Sequence, residues 1–210
     1  MKDYLELNEL QLDALKEISN IGVGNAATSL SMLIGRKIQL EVPKATLAPF
    51  SKIVEIIGGA EKEVAGGYLY VNGDIPLGIL FFIPREQIPR LLDLLFGKMQ
   101  TKIDYDKQGG LQLNEMQESA LKEIVNILAG SYLNSLGIFT KQVFIPSVPA
   151  LSVDMAGAIL GQVLQSIGNE TDYALIIENV FCAEGEQING YFFLIPEPET
   201  LDLLLKSIGV

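Results

Sequence analysis

Apolar residues recur at every third or fourth position in two long stretches of the chain. The first runs from Leu12 to Ile21 and the second from Leu121 to Leu128, and this spacing predicts two helices that each bury one face. Each stretch begins at a capping-box pattern, in which a Gln follows an Asn by three residues: Asn8 with Gln11, and Asn114 with Gln117. The two predicted helices are therefore displaced from one another by the 106 residues that separate Asn8 from Asn114.

Strand patterns follow each of these helices. Residues 36–42 alternate apolar and polar side chains as a half-buried strand does, and residues 140–148 are their looser counterpart. Each half then continues with a short helical piece, two apolar strands and a closing helix; the predicted strands are 64–71, 77–83, 172–182 and 188–195. In the second half we expect a longer helix over residues 151–168, because Pro49 delays or shortens its counterpart.

This parallel order of elements predicts the fold class and the domain organisation. We expect an α+β fold that is internally duplicated about a pseudo-two-fold axis, with a mainly antiparallel sheet and two long helices on the surface. The repeats, about 8–97 and 114–210, are joined by a polar linker, 98–113. Strands this apolar indicate buried faces shared across the repeat, so we expect one domain over residues 1–210.

A polar motif occupies equivalent positions in the two predicted helices. Its members are Asp13, Glu17, Asn20 and Pro43 in the first half, and Ser119, Glu123, Asn126 and Pro149 in the second, each displaced by 106 residues. At about 100° per residue, the three helical side chains of a copy share an arc of about 60°, away from the apolar positions. Exposed polar residues diverge in a duplicated fold unless something outside the core selects them, so the repeat predicts a duplicated surface site.

The alternative is that these are ordinary solvated residues. Two observations argue against it. Asp13 and Glu17 are like charges one turn apart, which is mildly unfavourable in a helix, and Asn prefers caps and turns to the middle of a helix. A glycine also follows each Asn by one turn, at Gly24 and Gly130, and costs roughly 1 kcal/mol relative to alanine. We therefore expect a bulky partner to approach the helix closely there.

Composition limits the chemistry. The chain has 15 basic and 26 acidic residues, a net charge of −11, no His and one Cys. The negative charge argues against binding nucleic acid or an anionic membrane surface, and the missing His excludes His-based triads and His-containing metal sites. A single Cys forms no intrachain disulfide, which favours a reducing compartment. With no signal peptide and no membrane-spanning run recognisable, we expect a cytoplasmic monomer without membrane insertion.

Glu and Asn side chains without His, Cys clusters or a metal are suited to positioning rather than to nucleophilic or metal-ion catalysis. An amide holds a water, as a glutamine does in small GTPases, and a carboxylate one turn away anchors a lysine. Both are useful when the reactive group and its metal belong to a partner. We therefore expect no intrinsic cofactor and no intrinsic metal.

The repeated motif resembles that of the CheC-type chemotaxis phosphatases, the family of CheC, CheX and FliY. The resemblance implies hydrolysis of the aspartyl phosphate of the response regulator CheY, with Mg²⁺ carried by that regulator. It implies that Asn20 and Asn126 orient the attacking water and that Glu17 and Glu123 pair with the regulator's active-site lysine. Asp13 and Ser119 would be accessory, and Pro43 and Pro149 structural, ending a strand beneath each site.

The resemblance also implies binding to the receptor deamidase CheD. Small residues permit close packing, so we expect CheD to dock on the asymmetric helix of the second half, at Met155, Ala156, Gly157, Ile159 and Leu160. The alternative is that this helix only packs in the core.

Two other functions are compatible with the pattern. One is a non-catalytic binding module, because the fold class also resembles the middle domain of the flagellar switch proteins. The other is a protein that acts mainly by restraining CheD, with hydrolysis secondary.

Overall fold

The structure is a computed structural model that describes residues 9–96, 103–105, 107, 109–166, 173–183, 186–197 and 200–207. Its longest elements are two 26-residue helices, one in each half. In chain order the elements are α1 (Glu9–Ile34), β1 (Gln39–Pro49), α2 (Ile53–Ile57), β2 (Glu63–Gly73), β3 (Leu77–Pro84), α3 (Ile88–Phe96), β4 (Asp104–Tyr105), β5 (Leu111–Gln112), α4 (Glu115–Thr140), β6 (Phe144–Pro146), β7 (Ala150–Met155), α5 (Ala156–Ser166), β8 (Tyr173–Ala183), β9 (Glu186–Pro196) and α6 (Thr200–Ser207).

Seven of the strands form one antiparallel sheet, in the order β1-β8-β9-β3-β2-β6, with β7 also paired to β2. The order is symmetric about the central pair β3–β9, whose register matches Leu80 with Phe193 and Phe81 with Phe192. Because β1 of the first repeat pairs with β8 of the second, and β6 and β7 of the second pair with β2 of the first, the repeats exchange their edge strands. This arrangement confirms the predicted duplicated α+β fold.

Helices cover both faces of this sheet. On one face α1, α3, α4 and α6 pack on side chains such as Ile79 and Phe81. On the other, α2 and α5 pack on Leu80 and Phe82, the alternate residues of the same strand. The strand alternation therefore separates two apolar clusters, and β3 is buried along its whole length.

The two long helices pack closely against each other at one point. A Cβ added to Gly22 would lie 3.1 Å from Tyr132 Cδ1 and 3.2 Å from Tyr132 Cα, so only glycine allows this approach without movement. The Tyr132 ring stacks on Phe192 with 4.4 Å between ring centroids, and its hydroxyl donates a 2.9 Å hydrogen bond to Asn179 Oδ1. Tyr132 thus contacts both α1 and the sheet, which sets the relative position of the two helices.

Several sequence predictions are confirmed at the level of the element. The four apolar strands are β2, β3, β8 and β9, and the closing helices are α3 and α6. The capping box at Asn114 is present, since its side chain accepts from the amide of Gln117 while the Gln117 side chain accepts from the amide of Asn114. Its counterpart at Asn8 lies outside the described residues.

Two predictions in the second half are wrong in their bounds. Thr140 is still part of α4, so the predicted strand 140–148 reduces to β6. Residues 151–155, predicted as the start of a helix, belong to β7, because β2 offers backbone partners there; α5 begins only at Ala156. The predicted asymmetry remains, since α5 has 11 residues and α2 has five.

The described residues of the segment between the repeats contact the first half. Its residues include the two-stranded ribbon β4–β5. Arg85 contacts the carboxylate of Glu63 and the carbonyl oxygen of Gly109, and its guanidinium lies 5.8 Å from the centroid of the Tyr105 ring. The domain limits 1–210 and the linker limits 98–113 stay predictions. No helix in the described residues has the length and apolar character needed to cross a bilayer.

Candidate active site

The first motif lies on the solvent face of α1. Asp13, Glu17 and Asn20 are all exposed, while Leu15 and Ile18 on the opposite side are each 2% exposed. The predicted outward orientation of the polar residues is therefore observed in this helix. Ile21, which the apolar pattern assigned to the buried face, is 36% exposed, because at about 100° per residue it falls nearer the polar side.

The second motif has the same arrangement on α4. Ser119, Glu123 and Asn126 are exposed, and Leu121 and Ile124 between them are no more than 1% exposed. The capping box at the start of α4 supplies partners for first-turn amides and so holds the helix end three turns before Asn126. The helical periodicity thus presents both acid–amide pairs to solvent.

The four side chains of the two pairs are available to a partner. Within the described part of the chain, no hydrogen bond or ion pair engages Glu17, Asn20, Glu123 or Asn126. In each pair the residues are three apart, which on a helix places their Cβ atoms about 5–6 Å from each other. An amide and a carboxylate at that separation can contact two neighbouring groups of one bound molecule. Among the described residues, no group of three or more Cys, Asp or Glu side chains could hold a metal ion.

A glycine beside each acid–amide pair leaves the helix surface there without a protruding side chain. A Cβ added to Gly24 or to Gly130 would meet nothing within 4 Å, and both glycines are exposed. Neither glycine is therefore required by packing within the described chain, in contrast to Gly22. The close approach of a partner at these positions stays a prediction.

The motif prolines differ in their setting. Pro43 lies within β1 and does not end it; the pairing of β1 with β8 is irregular between Glu41 and Lys44, which is where a residue without an amide proton is tolerated. The prediction that Pro43 ends a strand is wrong for this reason. Pro149 is buried and lies in the gap between β6 and β7, so the second repeat has a break where the first has a bulge.

The predicted docking helix is largely part of the core. Ala156, Ile159 and Leu160 are no more than 4% exposed, and a Cβ on Gly157 would lie 3.0 Å from the Cβ of Ala60. The prediction that Ala156, Gly157, Ile159 and Leu160 form a docking surface is wrong, since these residues pack α5 against the first half and the sheet. Of the predicted set, only Met155 is exposed, at 46%.

Comparison with known proteins bears on both motif copies. A sequence model of the CheC-like family matches residues 10–47 and 116–153. Over its whole length the chain is 34% identical to the CheY-P phosphatase CheC of Bacillus subtilis (strain 168), of which it covers 99%. The chain belongs to the CheC-like family. Each matched segment contains one complete copy of the motif, and the segments begin 106 residues apart, as the motif copies do.

Two further similarities place this CheC-like chain among related folds. It is 31% identical to the flagellar motor switch phosphatase FliY of Bacillus subtilis (strain 168) over 151 residues, which are 70% of this chain and 38% of that protein. The crystal structure of FliY from Thermotoga maritima superposes with a TM-score of 0.72 and covers 98% of both chains at 19% identity. At that identity the likeness is one of fold.

The sequence analysis missed a structural feature beside each motif. A groove lies beyond each motif on the same helix, and residues that line the two grooves are again separated by 106 positions. The helix turns that line the grooves carry no repeated charged residue, so no repeated charge marks them in the sequence.

Proposed function

We propose that this protein hydrolyses the aspartyl phosphate of a CheY-type response regulator, and that it has two sites, Glu17 with Asn20 and Glu123 with Asn126. The observation that carries the proposal is the pair of exposed acid–amide sets, which have no partners among the described residues. The name of the full-length relative, a CheY-P phosphatase, supports the same substrate.

In the proposed reaction a water attacks the phosphorus atom of the aspartyl phosphate. The new bond joins the water oxygen to phosphorus, while the bond between phosphorus and the aspartyl oxygen breaks and the aspartate leaves as a carboxylate. One proton of the water stays on the attacking oxygen and the other goes to another oxygen of the released phosphate. Asn20 or Asn126 holds the water in line, with its amide oxygen accepting a water proton or its amide nitrogen donating to the water oxygen. Positioning of this kind supplies ~10²-fold, about 3 kcal/mol.

The carboxylate of each pair anchors the regulator. Glu17 or Glu123 accepts a hydrogen bond from the ammonium group of a regulator lysine, one turn of helix away from the amide that holds the water. Charge-assisted hydrogen bonds of this type are stronger than neutral ones. Mg²⁺ bound by the regulator would neutralise charge on the transferring phosphoryl group, and this chain need not hold it.

The decisive experiment measures phosphate release from phosphorylated CheY. We expect the double variant Asn20→Ala/Asn126→Ala to lose about 100-fold in kcat, because the water is no longer held, and each single variant to retain one working site. Asn25→Ala is the matched control, since Asn25 is an exposed asparagine of α1 that lies about 140° around the helix from Asn20. A double variant as fast as the unaltered protein would show the catalytic assignment to be wrong and would favour a non-catalytic, flagellar-switch-like binding module.

We also propose that the protein binds the deamidase CheD, on the resemblance of the motif to CheC-type phosphatases. The buried side chains of α5 are unsuited to this contact, whereas Met155, Ala158 and Gln162 are exposed at the start and along the outer face of that helix. Phosphate release measured with and without CheD separates a protein that mainly restrains CheD from one that is mainly a hydrolase.

A further inference from the structure

A groove of about 520 Å³ lies at the C-terminal end of α1, beyond Asn20. We call it the first groove; its lining includes Ala27, Thr28, Ser31, Met32, Arg36 and Lys37. Its shape is held by Ser31, whose hydroxyl oxygen accepts a 2.9 Å hydrogen bond from the amide of Ile38 and whose hydroxyl donates to the carbonyl of Ala27. The groove therefore joins the last turns of α1 to the start of β1.

A second groove of about 390 Å³ occupies the equivalent place at the end of α4. Six of its lining residues occupy positions 106 residues after lining residues of the first groove, although the residue types differ: Leu133, Asn134, Gly137, Ile138, Gln142 and Phe144 correspond to Ala27, Thr28, Ser31, Met32, Arg36 and Ile38. The duplication therefore preserves the groove as well as the motif.

Each groove continues the face that carries the motif. At about 100° per residue, Gly24, Thr28 and Ser31 lie within about 60° of Asp13, as Glu17 and Asn20 do. With a rise of about 1.5 Å per residue, the first groove begins roughly 10 Å from Asn20 along the helix. A protein domain of 100 residues has a radius of gyration of about 13 Å. A regulator whose phosphoryl group reaches Asn20 therefore covers the first groove as well.

The two grooves differ in charge. Arg36 and Lys37 are exposed in the first groove, and the corresponding residues of the second half are Gln142 and Val143. Arg36 already has an interaction within the chain, but its guanidinium carries five N–H donors and can take a second partner. Other charged groups lie nearby: Glu41 on the strand after the first groove, and beside the second groove the exposed Lys141 and the carboxylate of Asp74, which accepts a 2.8 Å hydrogen bond from the amide of Val143. The first groove thus carries two cations in its lining, and the lining of the second carries none.

The metal site of the regulator indicates which of its surfaces the first groove would bind. Mg²⁺ is held by carboxylate oxygens, so a protein that binds Mg²⁺ beside an aspartyl phosphate has an acidic surface there. This chain has a net charge of −11 and as a whole repels such a surface. Two cations beside the motif give a local attraction that complements it.

We propose that the first groove docks the acidic surface around the regulator's phosphorylation site through Arg36 and Lys37, and that the second groove takes the same regulator through uncharged contacts. The two sites then differ in how they bind one substrate. This inference rests on the proposed function, because it takes the phosphorylated regulator as the occupant of both grooves.

The test uses two proteins that each keep one working site. Glu123→Ala/Asn126→Ala leaves the first site, and Glu17→Ala/Asn20→Ala leaves the second. Charges on the rim of an interface act on association and are screened by salt. Between 50 and 300 mM NaCl we expect the KM of the first-site protein to rise roughly five-fold, and that of the second-site protein less than two-fold.

Exchanging the charged residues of the first groove with the uncharged residues of the second should exchange the salt dependence of KM. Arg36→Gln/Lys37→Val in the first-site protein should raise KM roughly five-fold at low salt, leave kcat within two-fold and remove the salt dependence. Gln142→Arg/Val143→Lys should impose salt dependence on the second-site protein. The control Lys52→Gln/Lys62→Gln removes two positive charges beside α2 and α5, on the other face of the sheet, and should leave both KM values unchanged.

Binding of a regulator activated with beryllofluoride, measured by fluorescence anisotropy on the same variants, separates the two hypotheses. If no variant releases phosphate but the salt-dependent binding persists, the proposed hydrolysis is wrong and the docking assignment holds. Equal salt dependence of the two single-site proteins, or no effect of the Arg36/Lys37 exchange, overturns the docking assignment. It is also overturned if the groove variants instead alter self-association in sedimentation velocity.

Discussion

Three glycines of the motif helices have different roles. Gly22 is required by packing, because Tyr132 lies against it. Gly24 and Gly130 face open space one turn after the motif asparagines. A glycine in a helix costs up to about 1 kcal/mol relative to alanine, so nothing in the stability of the described chain accounts for them. We interpret their presence in both copies as a requirement of partner binding.

This interpretation predicts opposite effects on stability and activity. We expect Gly24→Ala/Gly130→Ala to raise the free energy of unfolding by about 1–2 kcal/mol, since helix propensity improves at two exposed positions. We expect the same variant to raise KM for phosphorylated regulator several-fold, because two methyl groups obstruct close approach. Urea unfolding and phosphate release measure the two effects. Gly22→Ala is the contrasting variant and should destabilise the fold; unchanged KM in the first variant would contradict the approach hypothesis.

At the scale of the element, a buried hydrogen bond between Tyr132 and Asn179 joins α4 to the sheet. Tyr132 and Asn179 are each 1% exposed; the tyrosine hydroxyl donates to Asn179 Oδ1, and the amide of Asn179 donates to the carbonyl of Ile177 at 2.9 Å. Burial raises the pKa of the Tyr132 phenol, which keeps it a neutral donor. Because the same ring lies against α1, this contact positions the helix that carries the second site relative to the one that carries the first.

Removing the hydroxyl tests this contact. We expect Tyr132→Phe to lower the free energy of unfolding by about 1–3 kcal/mol, since Asn179 Oδ1 is left buried without its donor. The phenol pKa is raised in the folded state above about 10 in the unfolded chain, so this group's contribution is present below pH 10 and declines above it. The difference between the two proteins should therefore shrink in denaturant unfolding above pH 10. Tyr105→Phe, at an exposed ring, is the control; a constant difference at all pH values would contradict the assignment.

At the scale of the whole molecule, the repeats complete each other's sheet. β1 pairs with β8, β7 pairs with β2, and the central contact is between β3 and β9. A repeat on its own would keep β2–β3 or β8–β9 as a hairpin with both outer edges unpaired, and unpaired apolar edges favour aggregation. The two surface sites therefore depend on one shared core.

Separated halves test this dependence. We expect polypeptides of residues 1–105 and 106–210 to lack cooperative thermal unfolding when studied alone, because each loses the strand partners supplied by the other. Mixing them should restore part of the near-ultraviolet circular dichroism and a single transition. Cooperative unfolding of either half alone would show that the repeats are independent domains.

The sequence by itself determined the features that depend on local periodicity. The helical period of 3.6 residues per turn decides which side chains of α1 and α4 face water. The exposure of Glu17, Asn20, Glu123 and Asn126 was therefore predictable, as was the capping box at Asn114. The four apolar strands were equally predictable, because runs of buried β-branched and aromatic residues leave few alternatives.

Only the tertiary structure decided the features that depend on distant partners. Residues 150–155 become a strand because the free edge of β2 supplies their hydrogen bonds, and the start of α5 packs closely because Ala60 lies against Gly157. Such contacts join segments far apart in the chain, and a pattern within one segment carries no information about them.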